Sequence, residues 1–203
     1  QVYLAGHDIL QVSADGGSTW QPVAHDLPGT DIHGFAMSPD DPNRLYAFVV
    51  GHGLFHSDDG GRNWTMRSDQ LPGDVMALAT AGGTPETVYA GSMRLGVLKS
   101  ADGGKTWAPR NAGLGSTRVM ALAVHPIHRQ VLFVGTEDGL YRSDDAAASW
   151  RKLPFPGENA VALAVSPSTP EVVMAIEFVR PGEGPVYRSD DGGQTWARDG
   201  NRA

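Results

Sequence analysis

Ser100-Ala101-Asp102-Gly103-Gly104-Lys105-Thr106-Trp107 decides how this chain is read, because it is one of five copies. The others are Ser13-Ala14-Asp15-Gly16-Gly17-Ser18-Thr19-Trp20, Ser57-Asp58-Asp59-Gly60-Gly61-Arg62-Asn63-Trp64, Ser143-Asp144-Asp145-Ala146-Ala147-Ala148-Ser149-Trp150 and Ser189-Asp190-Asp191-Gly192-Gly193-Gln194-Thr195-Trp196. The copies start 43 to 46 residues apart and hold all 5 Trp of the chain. A fixed period of this length marks a repeat architecture, in which each unit cannot bury its own apolar face and must stack on a neighbour.

The flanks repeat as well. Short apolar runs bounded by Gly precede each octet, as in Val88-Tyr89-Ala90-Gly91 followed by Gly96-Val97-Leu98. Such runs read as strands. A polar strand follows the octet, then a Pro/Gly loop such as Leu71-Pro72-Gly73. The next run alternates small and large residues, as in Met76-Ala77-Leu78-Ala79, Met120-Ala121-Leu122-Ala123-Val124 and Val161-Ala162-Leu163-Ala164-Val165, and suits a crowded innermost strand. Four strands per repeat of about 43 residues make a blade, and blades make a β-propeller. A linear solenoid is the alternative arrangement. No segment shows a helical period.

The expectation is therefore an all-β chain, a single β-propeller domain over 1–203 with blades at about 1–29, 30–73, 74–117, 118–157 and 158–203. The first repeat begins at Val2, in what should be its second strand, and Ala197 to Ala203 is too short and polar to supply the missing one. The first blade is thus predicted to lack its inner strand, and residues preceding Gln1 are expected in the natural protein.

The octet resembles the Asp-box, or BNR repeat, of sialidases, sortilin-like receptors and related bacterial propellers, some of them glycosyl-hydrolase-like. Ser-x-Asp-x-Gly-x-Thr-Trp is complete in the copies at Ser13, Ser100 and Ser189. Asn63 replaces Thr in the second copy, and Ala147 and Ser149 replace Gly and Thr in the fourth. The Asp carboxylate can accept backbone N–H bonds across a tight turn, Gly can supply positive φ, and Trp can cover an apolar gap while its N–H finds a partner. The resemblance implies that this hairpin joins the third and fourth strands, opposite the binding face. Asp15, Asp59, Asp102, Asp145 and Asp191 are therefore expected to be structural, with Trp20, Trp64, Trp107, Trp150 and Trp196. A calcium loop would need further oxygen ligands and a closing Glu that the octets lack.

Ligand candidates then lie at the other end of the blades. Aligning Pro39, Pro126 and Pro167 makes Asp31, Arg118 and Asn159 equivalent, and Asp74 joins them, so that the four are predicted to surround a channel mouth. His33 stands where the other blades carry Met76, Met120 and Val161. The turns between second and third strands add His52, Arg94, Glu137, Asp138, Glu177 and Arg180, with Glu183 beyond them. The last of these turns is the longest, and loops longer than the repeat norm often carry function. The bland alternative is that all of these are solvated turn residues. His25, His56, His125 and His128 are given no role, and Asn63-Trp64-Thr65 matches a glycosylation acceptor by accident of its Asp-box.

The remaining composition narrows the classes. The formal charge of −7 argues against nucleic acid as a partner. There is no Cys, so no disulfide or thiolate chemistry. No apolar run reaches the ~20 residues of a membrane span, so no membrane insertion is expected. No two His share zinc-ligand spacing on one element, so neither metal nor cofactor is predicted. Three functions remain open. A binding propeller would hold a protein, peptide or glycan, as sortilin-like receptors and photosystem assembly factors do. A glycoside hydrolase would need a carboxylate pair, or, if sialidase-like, an arginine clamp and a Tyr nucleophile. Arg94, Arg118 and Arg180 could clamp, but all 5 Tyr sit at repeat positions and the Phe-Arg-Ile-Pro segment of sialidases is absent. The third reading is a structural subunit of a larger assembly, which an exposed apolar patch would favour. The resemblance places the chain in the secreted or periplasmic space, and the regular blades favour a binding module over an enzyme.

Overall fold

The computed structural model describes residues 1–199. The polar tail at 200–203 lies outside them. Every described element is a strand, so no helix is present to cross a membrane. The first sheet runs β1 (Val2–Gly6), β2 (Ile9–Ser13) and β3 (Gln21–Pro22). The second runs β4 (Ile32–Met37), β5 (Leu45–Val49), β6 (Gly53–Ser57) and β7 (Thr65–Ser68). The third runs β8 (Val75–Gly82), β9 (Thr87–Ser92), β10 (Gly96–Ser100) and β11 (Ala108–Pro109). The fourth runs β12 (Val119–Val124), β13 (Leu132–Thr136), β14 (Gly139–Ser143) and β15 (Arg151–Lys152), and the fifth β16 (Ala162–Val165), β17 (Val173–Ile176), β18 (Val186–Ser189) and β19 (Ala197–Arg198). These are five propeller blades, each a meander with strands in chain order. The first has three strands and no inner one, as its repeat predicts.

The chain divides into two compact units, residues 1–90 with 99–108, and residues 91–98 with 109–203. Each has its own apolar filling. In the first, Leu10, Ile32, Leu45, Ala47, Val49, Phe55 and Trp64 are buried together, with Tyr3, Val23 and Phe35 against them. In the second, Val131, Phe133, Leu140, Leu153, Ala160, Val173 and Ala175 play that part, with Phe155 and Trp196. β5 and β13 are buried along their whole length. Covered on both faces, they read as continuous apolar runs rather than alternating ones.

The five octets fold alike. The Ser hydroxyl donates to the Asp carboxylate at 2.7–2.8 Å, and accepts the N–H of the fifth octet residue at 2.8–3.0 Å. The same carboxylate accepts the N–H of the seventh residue at 2.8–3.0 Å and that residue's side chain at 2.6–2.7 Å. Asn63 donates through Nδ2 where Thr uses Oγ1, and Ser149 through Oγ, so both departures from the motif keep its chemistry. These bonds, led by those from the seventh residue, hold the Asp15, Asp59 and Asp102 carboxyls well below the usual range, and bring Asp145 and Asp191 to about 2. The carboxylates are thus ionised acceptors with their capacity in use, the opposite of a general acid.

The Trp completes the device by reaching the preceding blade. Trp64 N–H donates to Asp26, Trp150 Nε1 to the Arg110 carbonyl, and Trp196 meets Phe155 edge-on at 5.2 Å. Two copies depart from this pattern. Trp20 is 37% exposed, and Trp107 Nε1 is buried without a hydrogen-bond partner.

The fourth octet carries a strain that the other four avoid. Its fourth and fifth positions take φ of 57° and 67° at Ala146 and Ala147, where the other octets have Gly at 68° to 97°. Left-handed φ costs a residue with a Cβ roughly 1–2 kcal/mol. The Ala147 methyl is fully buried, which returns about 0.8 kcal/mol, while Ala146 is only half-buried. Ala146→Gly is therefore expected to raise the melting temperature by a few degrees, equivalent to about 1 kcal/mol. Ala147→Gly should raise it by less. A thermal melt in which Ala146→Gly lowers the midpoint would contradict the strain.

Candidate functional site

Strand register decides which residues share an end of each blade. In the second sheet Ile32 pairs Val49 and Val49 pairs Gly53, while Met37 pairs Leu45 and Leu45 pairs Ser57. The start of the inner strand and the β5–β6 turn therefore lie together at one end, and the Asp-box lies at the other. The fourth and fifth sheets repeat the pairing. Asp31, Asp74 and Arg118 each stand one residue before an inner strand and Asn159 three before, while His52, Arg94, Glu137, Asp138 and Arg180 lie in the turns at that same end. Glu177 follows directly on β17.

In the first unit this end gathers Asp31 and His33 with a residue that the repeat alignment passed over, His7. His7 Nδ1 is 2.5 Å and His33 Nε2 3.3 Å from Asp31 Oδ1. His33 sits on a β-bulge, where the register with β5 shifts between Ile32 and Gly34. A bulge re-aims one side chain out of the sheet's alternation. The fourth sheet has its bulge at the equivalent place, Met120, between Val119 and Ala121. His7 could be found only by knowing that its turn pairs with Asp31 through an isolated bridge. His52 lies apart from this group, in the β5–β6 turn beside Gly29.

In the second unit the candidates are tied up in separate pairs. Arg118 holds Glu137 at 2.8 Å, and Ser116 donates to the other Glu137 oxygen. Burial alone would raise the Asp138 carboxyl, but bonds from Thr136 and Tyr141 and the nearby Lys152 hold it below its ordinary value. Glu177 accepts from the Glu158 N–H and the Tyr187 hydroxyl. Arg180 pairs with Glu183. The Tyr141 and Tyr187 hydroxyls are pushed up, by burial first and then by the carboxylates they donate to. Asn159 grips the long β17–β18 turn by donating to the Phe178 carbonyl and accepting the Phe178 N–H, at 3.0 and 2.9 Å. That clamp presents Phe178 and Val179 to solvent, each about half exposed. Neither was singled out in the sequence, where they read as a continuation of the apolar strand.

The Asp-box end of the first unit holds a cavity of about 220 Å³ lined by Arg44, Tyr46, His56, Arg67, Glu86 and Lys105. The Glu86 side chain is 2% exposed; Arg44 stands 3.6 Å from one oxygen, and neither oxygen is in good hydrogen-bond geometry. Burial raises its carboxyl, lowers His56, and pushes Tyr46 up to about 12. Sequence reading had no signal for Glu86, which looks like any turn residue before a strand. A raised carboxyl is neutral in the folded state at pH values where the unfolded chain already ionises it. The ionisation of Glu86 therefore adds no penalty below the unfolded pKa of about 4.3, and a growing one as pH rises from there to the raised folded pKa. Glu86→Gln is expected to raise the melting temperature at pH 7, with the difference shrinking toward zero near pH ~4. A pH-independent difference in melting temperature would contradict the assignment.

Comparison with known proteins fits this architecture. No curated protein matches the sequence. An ancestral GH74 enzyme superposes with a TM-score of 0.68 at 17% identity, covering 97% of this chain and 29% of its own. The GH74 xyloglucanase from Xanthomonas campestris gives 0.66 at 23% identity, covering 97% and 36%. This chain thus spans about a third of those enzymes' length. YCF48 bound to D1 peptide gives 0.52 at 21% identity, covering 98% and 78%. At these identities the likeness is one of fold. The Sortilin-Vps10 family, described as sortilin, neurotensin receptor 3, matches residues 96–201, just over half of the sequence, and the chain belongs to that family.

Proposed function

We propose that this chain is a non-catalytic binding propeller that holds a protein or peptide at the blade end opposite the Asp-boxes. The observation that carries this reading is the Phe178-Val179 pair, an exposed apolar anchor on a turn fixed by Asn159 and bordered by paired charges. Buried aromatic anchors with a polar rim dominate protein recognition, and a pre-fixed loop loses little entropy on binding. YCF48, a propeller of related fold, holds a peptide. An extracytoplasmic location belongs to the same proposal and rests on the family.

The second reading, a glycoside hydrolase, draws on the GH74 likeness. Against it, Glu137, Asp138 and Glu177 are each engaged by neighbours. A sialidase-like nucleophile would need a Tyr that loses its proton readily, whereas Tyr141 and Tyr187 are pushed the other way. Arg118 and Arg180 pair with their own carboxylates rather than converging as a clamp.

Two assays separate these readings. Fluorogenic glycosides, a sialoside and xyloglucan should give no turnover. Turnover that disappears in Asp31→Asn would overturn the proposal. Peptides selected from a displayed library should bind at least about tenfold more weakly to Phe178→Ser, the loss that about 1.4 kcal/mol at one anchor produces. Ile127→Ser, which removes a still more exposed apolar residue at the Asp-box end, should bind as the parent does. Equal loss in both variants would refute the placement.

A further inference from the structure

We propose that His7, Asp31 and His33 form a site for one divalent transition-metal ion, of which zinc is the representative, joining the β1–β2 turn to the inner strand of the second blade. The two ring nitrogens and the carboxylate oxygen lie within 4.8 Å of one another, and this is the only such group among the described residues. The imidazoles meet edge to face, with centroids 5.0 Å apart at 81°, so they converge rather than stack. Two imidazoles with one carboxylate suit zinc and its neighbours, leaving further positions for water or a ligand group. The His7 side chain is 77% exposed, which gives an ion its entry path.

Ordinary hydrogen bonding does not account for the group. Asp31 Oδ1 is buried and approached by both rings, yet no contact to it has hydrogen-bond direction. Buried polar atoms almost always find partners, and those that do not call for an explanation such as an ion. A metal accepts lone pairs that converge on one point, and so satisfies what the three groups cannot satisfy among themselves.

The backbone holds the donors in place. His7 and Asp31 form a bridge, the Asp8 N–H donates to the Thr30 carbonyl at 3.0 Å, and the Thr30 hydroxyl donates to Asp8 Oδ1 at 2.5 Å. Asp8 takes φ 56°, closing the turn that projects His7. The Asp31 carbonyl accepts the Val50 N–H, and His33 is aimed by its bulge. The sequence reading assigned no metal because no two His share ligand spacing on one element. Here the donors come from a turn, a strand start and a bulge in adjacent sheets.

The test is titration of EDTA-dialysed protein with Zn²⁺ by calorimetry and with Co²⁺ by visible absorption. One ion per chain is expected, with a Co²⁺ d–d band. His7→Gln and His33→Gln should each weaken binding at least tenfold while melting like the parent in metal-free buffer, and Asp31→Asn provides a third variant should either fail to fold. His128→Gln, which alters the other close His pair, should bind as the parent does. Absence of binding at millimolar ion, binding unchanged in the His7 and His33 variants, or binding lost in His128→Gln would each overturn the proposal.

Discussion

The hydroxyl of the Asp-box Ser is the point on which each blade turns. It donates a hydrogen bond to the Asp carboxylate and accepts one from the N–H of the fifth octet residue, all within a turn whose Ser is about 1% exposed in every copy. Buried polar groups in such a place stabilise only when every member is satisfied. Here the Asp completes the set by collecting the backbone and side chain of the seventh residue. The eighth residue then reaches the preceding blade at Trp64, Trp150 and Trp196. A local turn is thereby converted into contact between sheets, which no blade could supply alone.

That coupling explains what was legible in the sequence. The octets, their spacing, the four-strand meander and the short first blade all follow from local chemistry repeated at one period, and all are present. So is the separation of Asp-box and candidate residues to opposite blade ends, because strand order and antiparallel pairing fix it. What was hidden depends on unlike neighbours. His7 belongs to a turn and meets Asp31 only through a bridge to the next sheet. His33 stood out by breaking the repeat, but its direction comes from a bulge. Phe178 and Val179 continue an apolar strand in sequence, and are exposed only because Asn159 captures the Phe178 backbone. Glu86 lines a cavity with residues from four other segments of the chain.

The division of ends also shapes the functional reading. At the Asp-box end acidic groups serve as acceptors within the scaffold. At the other end the side chains vary from blade to blade, as they can where the fold does not depend on them. Arg118–Glu137 and Arg180–Glu183 are paired within their own blades beside the exposed Phe178 and Val179, an arrangement that recognises more readily than it reacts. The His7–Asp31–His33 group differs again, since its three donors come from two blades and lack the bonds that close the other pairs.

The most direct test of the Ser as the keystone is the melting temperature of Ser57→Ala. The substitution strands the buried Gly61 N–H and removes one of the three bonds to Asp59 Oδ1 without adding bulk. An unsatisfied buried donor costs about 1–3 kcal/mol, so the midpoint should fall by several degrees. A midpoint within a degree of the parent would contradict the account, because the turn would then hold its Trp without the bond on which the blade is said to depend.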